Sequence, residues 1–317
     1  MGRNGKAGIS LKLSVSSASK FPRMPGHIPV LFPDVLQQLN LQPNDDAIDA
    51  TFGGGGHARG LLEGIAPNGR LLAIEADPRT LEQTRTVFSG FGSRLVAVNA
   101  NFRDLTSVAT AQGCTQVAGI LFDLGVSSMT IEDAARGFSL QHDGPLDMRF
   151  DPVHQSLTAA EIVNTWTPSQ LTTIFRDYGE INRPESLVEM IVTTRRTAPF
   201  TTTGQLAEAV AAIWRRRGRV HPATVVFQAL RIAVNDELGA LTEALPQAVS
   251  LLKPSGRLAV ITFHSLEDRL VKQWGKNMAD AGRVEIITKH VIAPTRAEQL
   301  ANPRSRSAKL RIYQKPH

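Results

Sequence analysis

Short apolar runs alternate with amphipathic stretches along the first part of the chain. The apolar runs predict strands at AIDATF (47–52), LLAIEA (71–76), LVAVNA (95–100) and VAGILFDL (117–124). Apolar residues at helical spacing predict helices over 29–40 and 57–65, and Asp77 followed by Pro78 is typical of a helix start. Strands and helices in this alternating order predict an α/β fold with a parallel, doubly wound sheet.

The alternation stops after the fourth run, and no clear strand pattern occurs between residues 130 and 222. Helical patterns fall instead at 158–166, 168–178, 185–195 and 204–216. We therefore expect an all-helical subdomain at 130–222, inserted between two parts of the sheet domain, 27–129 and 223–317.

The strand pattern returns near the C-terminus. A long helical segment covers 225–252, and Pro246 is expected to kink or restart it. RLAVITF (257–263) predicts a fifth buried strand, and a helix should follow it. EIITK (285–289) and AKLRIYQ (308–314) predict a closing antiparallel pair.

Composition sets limits on the function. The 317 residues are 42% apolar and 20% charged, which suits a folded core. No apolar stretch approaches 18 residues, so no membrane span is expected. Cys114 is the one cysteine, which excludes a disulfide framework, and the eight histidines show no HxxxH or HExxH pairing. We therefore expect no metal site.

The net charge of +6 is unevenly distributed. The first 26 residues contain five basic and no acidic side chains, leaving 30 basic and 29 acidic residues in the remainder. This leader resembles a transit peptide, a disordered basic tail, or an extension upstream of a start at Met24. A nucleic-acid site on the nearly neutral remainder must be a local patch, and two candidates are 215–219 and 304–309.

The stretch DATFGGGGH (49–57) lies at the carboxyl end of the first predicted strand, where ligands bind in open parallel sheets. Gly53, Gly55 and Ala58 satisfy a dinucleotide fingerprint, which alone is a weak signal. Glu75 ends the second strand and is placed to accept hydrogen bonds from both hydroxyls of a ribose. NAD and S-adenosylmethionine fit this pattern equally, and a tight turn without ligand is the structural alternative.

The ends of the third and fourth predicted strands help to decide between NAD and S-adenosylmethionine. The fourth strand ends in DLGVSS (123–128), which NAD dehydrogenases do not generally have there. Phe102 follows the third strand, where an aromatic ring can stack on adenine.

Several long motifs of the chain resemble those of the RsmH (MraW) family. Members of this family are bacterial methyltransferases that act on the N4 atom of a cytosine in 16S rRNA. The motifs are HIPVL (27–31), DATFGGGGH (49–57), ILFDLGVSS (120–128), RGFSLQHDGPLDMRFDP (136–152), VNTW (163–166), HPAT (221–224), FQALRIAVNDEL (227–238), GRLAVITFHSLEDRLVK (256–272) and NPRSRSAKLR (302–311). The resemblance implies a Rossmann-like fold, S-adenosylmethionine as cofactor, and cytosine 1402 in the decoding region as target.

The same resemblance implies the partners and the cellular setting. The partner would be 16S rRNA or the small ribosomal subunit, with no membrane involved. A cytoplasmic location is expected, and organellar import through the basic leader is the alternative. The oligomeric state stays undetermined, with a homodimer as one candidate.

Carried over position by position, the resemblance implies a set of cofactor contacts. These are Gly55, Gly56, His57, Glu75, Phe102, Asp123 and Thr130. The family usually has Asp where this chain has Glu75, and Gln where it has Thr130. Val225 also replaces a common Arg, close to the helical insert where RNA contacts are expected.

The chemistry suggests further roles. A cytosine N4 amine is a poor nucleophile, so a hydrogen-bond acceptor should orient it, with Asp123 as first candidate and Asp147 and Asn235 as weaker ones. Arg149, Arg231 and His264 are expected to border the cleft and contact base or phosphate. Methylation at carbon 5 would need a cysteine nucleophile, and Cys114 precedes the fourth strand. Two alternative functions stay open, a dinucleotide-dependent oxidoreductase and a non-catalytic RNA-binding assembly factor.

Overall fold

The computed structural model describes residues 29–214 and 221–317. The basic leader, Met24, the first two residues of HIPVL and the arginine run at 215–219 lie outside the described residues.

The described chain alternates strands and helices as far as β4 and is helical from α6 to α11. Its strands are β1 (Ala47–Asp49), β2 (Leu71–Glu75), β3 (Leu95–Asn99), β4 (Val117–Asp123), β5 (Leu252–Thr262), β6 (Glu285–Ile286) and β7 (Lys309–Gln314). Its helices are α1 (Phe32–Leu39), α2 (Gly56–Gly64), α3 (Pro78–Val87), α4 (Leu105–Ala111), α5 (Ser128–Glu132), α6 (Ala159–Thr165), α7 (Pro168–Asp177), α8 (Glu185–Thr194), α9 (Thr203–Ile213), α10 (Thr224–Asn235), α11 (Glu237–Leu251), α12 (Ser265–Asp280) and α13 (Arg296–Ala301).

The strands form one sheet in the order β3-β2-β1-β4-β5-β7-β6. The first five are parallel, and β7 enters antiparallel between β5 and β6. The chain winds outward from β1 to β3 on one side and from β4 to β5 on the other. The crevice of this doubly wound sheet therefore lies beyond the carboxyl ends of β1 and β4. The predicted α/β fold with a helical insert is confirmed.

Helices cover both faces of the sheet, which explains the nearly continuous apolar runs of its strands. Neighbouring residues of β1 point to opposite faces, so Ala47 and Ile48 belong to different core clusters. Ile48 packs with Leu241 and Leu245 of α11, whereas Ala47 lies in the cluster of α1 and α2.

A third core cluster lies in the helical part, among buried residues from Leu146 to Val234. Helices α6 to α9 contribute to it, and so do Val226, Phe227 and Leu230 of α10. The domain boundaries at 129/130 and 222/223 stay a prediction, although α10 packs with the helices before it.

The long helix predicted over 225–252 is broken at a different place from the one expected. It divides at Asp236, whose φ of 46° and ψ of 46° end α10, while Pro246 lies inside α11. Asn235 explains the break, because its side-chain amide donates to the Met148 carbonyl and accepts from the Phe150 N–H. This long-range contact fixes the end of α10, and the helix pattern alone does not reveal it.

Candidate active site

The glycine run forms a tight turn between β1 and α2. The Gly55 N–H donates to the Phe52 carbonyl at 2.8 Å, and both Gly53 and Gly55 have positive φ values, of 49° and 74°. A Cβ on Gly55 would lie 2.4 Å from the ring of Phe88, and one on Gly56 would lie 2.5 Å from Pro29. The turn therefore needs glycine for backbone conformation and for close packing.

A cavity of about 850 Å³ lies beyond the carboxyl ends of the parallel strands. Of the predicted site residues, it is lined by Gly56, His57, Glu75, Phe102, Asp123, Thr130 and Arg231. Gly55 is not among the lining residues, because its α-carbon faces Phe88. Its proposed cofactor contact stays a prediction, and the turn and packing account for the glycine.

Glu75 joins the glycine turn to the start of α3. One carboxylate oxygen accepts from the Gly53 N–H and the other from the Asp77 N–H, each at 2.8 Å. Each oxygen keeps a further lone pair that can accept from a ligand in the cavity. Burial raises the pKa of Glu75 to about 7, although the two N–H groups oppose the shift.

Asp123 ends β4 and lines the cavity. Its backbone N–H donates to the Thr51 hydroxyl at 2.7 Å, and Oδ2 lies 3.6 Å from His57 Nε2. Oδ1 is buried and has no hydrogen-bond partner among the residues of 29–214 and 221–317. Burial, and then the charges of Asp49 and Glu267, raise the pKa of Asp123 to about 8.

A third carboxyl group, Asp49, lies in the same wall and was not predicted. It is 1% exposed, lines the cavity and accepts from the Thr51 N–H at 3.1 Å. Burial raises its pKa to about 7. Its place at the start of DATFGGGGH was the available signal. Asp49, Glu75 and Asp123 thus line the cavity with three carboxyl groups whose pKa values are raised to about 7 or 8.

Phe102 takes an intermediate position between core and cavity. Its ring packs edge-on against Phe122 of the core, with ring centroids 5.5 Å apart, and it also lines the cavity. The ring therefore offers an apolar surface to a ligand while the core holds its orientation.

The amino-acid sequence matches the model of a family described as the MraW methylase family over residues 24–316. The chain belongs to the MraW methylase family. It is 48% identical over 305 residues to ribosomal RNA small subunit methyltransferase H of Thermomicrobium roseum, covering 91% of this chain and 93% of that one. The enzyme of the same name from Symbiobacterium thermophilum is 44% identical over 308 residues, covering 91% and 96%.

This membership confirms the predicted family, and with it a methyltransferase enzyme that uses S-adenosylmethionine. The dinucleotide-dependent oxidoreductase suggested by the glycine spacing was wrong. Within the described ranges, no helix is both long and apolar enough to span a membrane.

In this MraW family chain, Thr130 lies in a buried polar cluster at the cavity wall. Its hydroxyl lies 2.8 Å from the Ser127 hydroxyl and 3.5 Å from Asp77 Oδ2. Asp77 forms a buried salt bridge with Arg136, which also donates to the Arg149 and Phe150 carbonyls. The pair connects the start of α3 to the insert, and the sequence pattern gave no sign of it.

Several predicted substrate residues lie outside the cavity lining. Arg149 binds both carboxylate oxygens of Asp147, at 2.7 and 2.8 Å, and donates to the Gln155 carbonyl at 2.7 Å. Asn235 ties α10 to the loop at 148–150. These contacts give Asp147, Arg149 and Asn235 a structural role. Their roles in substrate binding stay predictions.

Arg231 is the predicted substrate residue that does line the cavity. Its guanidinium donates to both oxygens of Glu237, at 2.7 and 2.9 Å. His264 caps α12 and lies 3.1 Å from Glu267, outside the lining. Burial alone would raise the pKa of Glu267, but His264 and the charge of Arg231 hold it below its usual range.

Ligand atoms of Glu237, His264 and Glu267 lie within 4.8 Å of one another, a spacing that suits a metal ion. The sequence did not reveal this group, because its members come from α11 and α12. Both oxygens of Glu237 already accept from Arg231, so a guanidinium charge is present where a metal would need those oxygens. We therefore interpret Glu237, His264 and Glu267 as an ionic network around the Arg231 guanidinium and not as a metal site.

Proposed function

We propose that this MraW family enzyme methylates the N4 atom of a cytosine in the decoding region of 16S rRNA, cytosine 1402 in the family. The observation that carries the proposal is the Asp123 carboxyl group, which lines the same cavity as Glu75 and Phe102 and has one oxygen without a hydrogen-bond partner in the described residues. The relatives at 44 and 48% identity are named as small-subunit rRNA methyltransferases, which supports the substrate class.

The residues that line the cavity fit S-adenosylmethionine. Glu75 offers two acceptor oxygens for the ribose hydroxyls, and Phe102 offers a ring face for the adenine. Gly56 lines the same cavity without a side chain of its own. The three raised-pKa carboxyl groups suit a cation, and S-adenosylmethionine carries a sulfonium.

When bound, S-adenosylmethionine supplies a methyl group that is already activated for transfer, so positioning provides most of the catalysis. The Asp123 carboxylate accepts a hydrogen bond from the N4 amine, which orients the nitrogen lone pair. The amine must lose a proton once the nitrogen carries the methyl group. The sulfonium charge favours the ionised form of Asp123, and that carboxylate, with its raised pKa, can then take up the amine proton.

The target base must leave its stack to reach this depth. The rings of Phe150 and Phe263 line the cavity together with Arg231. Aromatic rings can cover the faces of an extracted base, and the guanidinium can donate to its acceptor atoms.

Incubation of the full chain with labelled S-adenosylmethionine and unmethylated small subunits tests the proposal. We expect label in 16S rRNA, with mass mapping placing one methyl group on a cytosine N4. Label on carbon 5 or on another nucleotide would contradict the proposed target. Binding of subunits with no transfer, alongside normal cofactor binding, would favour a non-catalytic assembly factor.

The carboxyl cluster makes cofactor binding depend on pH. Burial raises the pKa of Asp49 and of Glu75 to about 7 and that of Asp123 to about 8, so without a bound cation these groups hold protons near neutral pH. A bound cation favours their ionised forms, so binding releases protons and tightens as pH rises from about 6 to about 8. Calorimetry in buffers of different ionisation enthalpy measures the release.

S-adenosylhomocysteine is the matched control, since it has the same groups without the sulfonium charge. His57, Glu267 and Arg231 also face this wall and are present for both ligands. We expect fewer protons released and a weaker pH dependence for S-adenosylhomocysteine. Equal proton release for the two ligands would show that the cluster does not respond to the sulfonium.

A further inference from the structure

A second cavity, of about 680 Å³, lies away from the cofactor cavity. Its polar lining comes from Arg70, Arg85, Arg94, Asn68, Ser89 and Ser93. Arg70 directly precedes β2 and Arg94 directly precedes β3, so the cavity lies at the amino ends of these strands. The proposed active site lies at their carboxyl ends, roughly 16 Å away along a five-residue strand.

Two of the three arginines are held in place by backbone carbonyl groups. Arg94 Nε donates to the Gly69 carbonyl at 3.0 Å, and its Nη2 donates to the Leu62 carbonyl. Arg70 Nη2 donates to the Gln112 carbonyl at 3.1 Å. Carbonyl oxygens orient a guanidinium without cancelling its positive charge, and each group has further N–H donors.

No carboxylate in the described part of the chain lies within 4 Å of the Arg70, Arg85 or Arg94 guanidinium. The nearby Asp46 carboxylate accepts from the Arg70 backbone N–H at 2.7 Å. Arg136 and Arg231, in contrast, are paired with carboxylates. The second cavity therefore gathers three uncompensated cations.

The surroundings of these cations favour an extended anionic ligand. β3 is the end strand of the sheet, so the cavity opens at the edge of the molecule. Arg85 is exposed on α3, and Ser89 and Ser93 are exposed in the 3-10 turn that follows. Guanidinium and hydroxyl groups together match phosphate oxygens in charge and hydrogen bonding.

We propose that this cavity binds backbone phosphates of the substrate RNA, as a second contact remote from the reacting base. The inference rests on the proposed function, which makes a large RNA the substrate. Residues 27–317 are nearly neutral overall, so three uncompensated arginines in one cavity form a local patch able to attract a polyanion. An RNA embedded in a ribosomal subunit is large enough to reach both cavities.

Charge reversal at Arg85 tests this proposal in the full chain. The exposed Arg85 side chain forms no hydrogen bond or ion pair with the residues that the structure describes, so Arg85→Glu should leave the structure and cofactor affinity unchanged. We expect the Kd and the KM for small subunits to rise by about tenfold at low salt. The slope of log Kd against log salt concentration should fall by about 1, as for the loss of one phosphate contact.

Arg283→Glu is the matched control, because Arg283 is exposed next to β6, at the opposite end of the sheet. The same charge change there should leave Kd and salt slope near those of the unchanged chain. Equal effects of the two variants, or an Arg85→Glu effect without a change in salt slope, would overturn the proposal.

Filter binding separates this proposal from the proposed function, since it needs no methyl transfer. If the unchanged chain binds subunits without methylating them, the proposed function fails and the cavity is still tested. Thermal unfolding of both variants, with an Arg85→Ala variant of intermediate expected effect, checks that binding changes do not reflect misfolding.

Discussion

An Asp123→Ala variant is expected to lose methyl transfer by about 10² to 10⁴-fold, the range for removal of a positioned proton acceptor. Asp123 lines the cavity with an oxygen that has no other hydrogen-bond partner in the described residues. The fold should persist, because burial and the charges of Asp49 and Glu267 disfavour the Asp123 carboxylate. Single-turnover assays with labelled cofactor measure the rate.

Asp123→Asn is the sharper companion variant. Its amide has nearly the same size and can still accept a hydrogen bond, but it does not take up the amine proton. We expect it to retain thermal stability and to lose most of the transfer rate. A near-normal rate for the Asn variant would leave Asp123 with an orienting role alone, and a near-normal rate for Ala would remove both roles.

A Glu75→Ala variant should weaken S-adenosylmethionine binding by about 100-fold, the cost of losing two hydrogen bonds to a charged acceptor. The carboxylate also accepts from the Gly53 and Asp77 N–H groups, so its removal leaves the glycine turn without one of its supports. The lost ligand hydrogen bonds and the weakened glycine turn both affect the part of the cavity wall that is proposed to hold the ribose. Isothermal titration of the full chain measures the Kd, and unfolding curves measure the loss of stability.

Glu75→Asp and Glu75→Gln separate these contributions. The aspartate keeps a carboxylate one methylene shorter, and we expect it to bind within about tenfold of the unchanged chain. Glutamine keeps the length and loses the charge and one acceptor. An alanine variant that binds as well as the aspartate variant would place the ribose elsewhere in the cavity.

Much of the fold follows from local signals. Apolar runs predicted strands β1 to β5 because a sheet covered on both faces buries every side chain of its strands. The start of α3 was predicted because Asp77 caps it, accepting from the Arg79 N–H, with Pro78 at its first position. Secondary structure that depends on neighbouring residues is visible in the sequence.

Part of the candidate site follows from the same logic. Glu75 and Asp123 each end a parallel strand, and Phe102 follows another. The carboxyl ends of parallel strands meet at one edge of the sheet, so strand assignment alone brought these residues to one cavity.

Contacts between segments remote in sequence could not be predicted. The Asn235 side chain, for example, binds the Met148 and Phe150 backbone, while the substrate roles expected for Asp147, Arg149 and Asn235 stay predictions. The helix break at Asp236 and the buried pair of Asp77 with Arg136 likewise depend on residues brought together by folding.

The sequence by itself determined the family, the succession of strands and helices up to the insert and the residues at the strand ends, because these depend on local pattern and motif. Only the tertiary structure decided which charges are paired and which are open. It neutralises Arg136, Arg149 and Arg231 with carboxylates, and among residues 29–214 and 221–317 it leaves Arg70 and Arg94 without one. Such pairing depends on distances of a few ångströms between segments far apart in the chain.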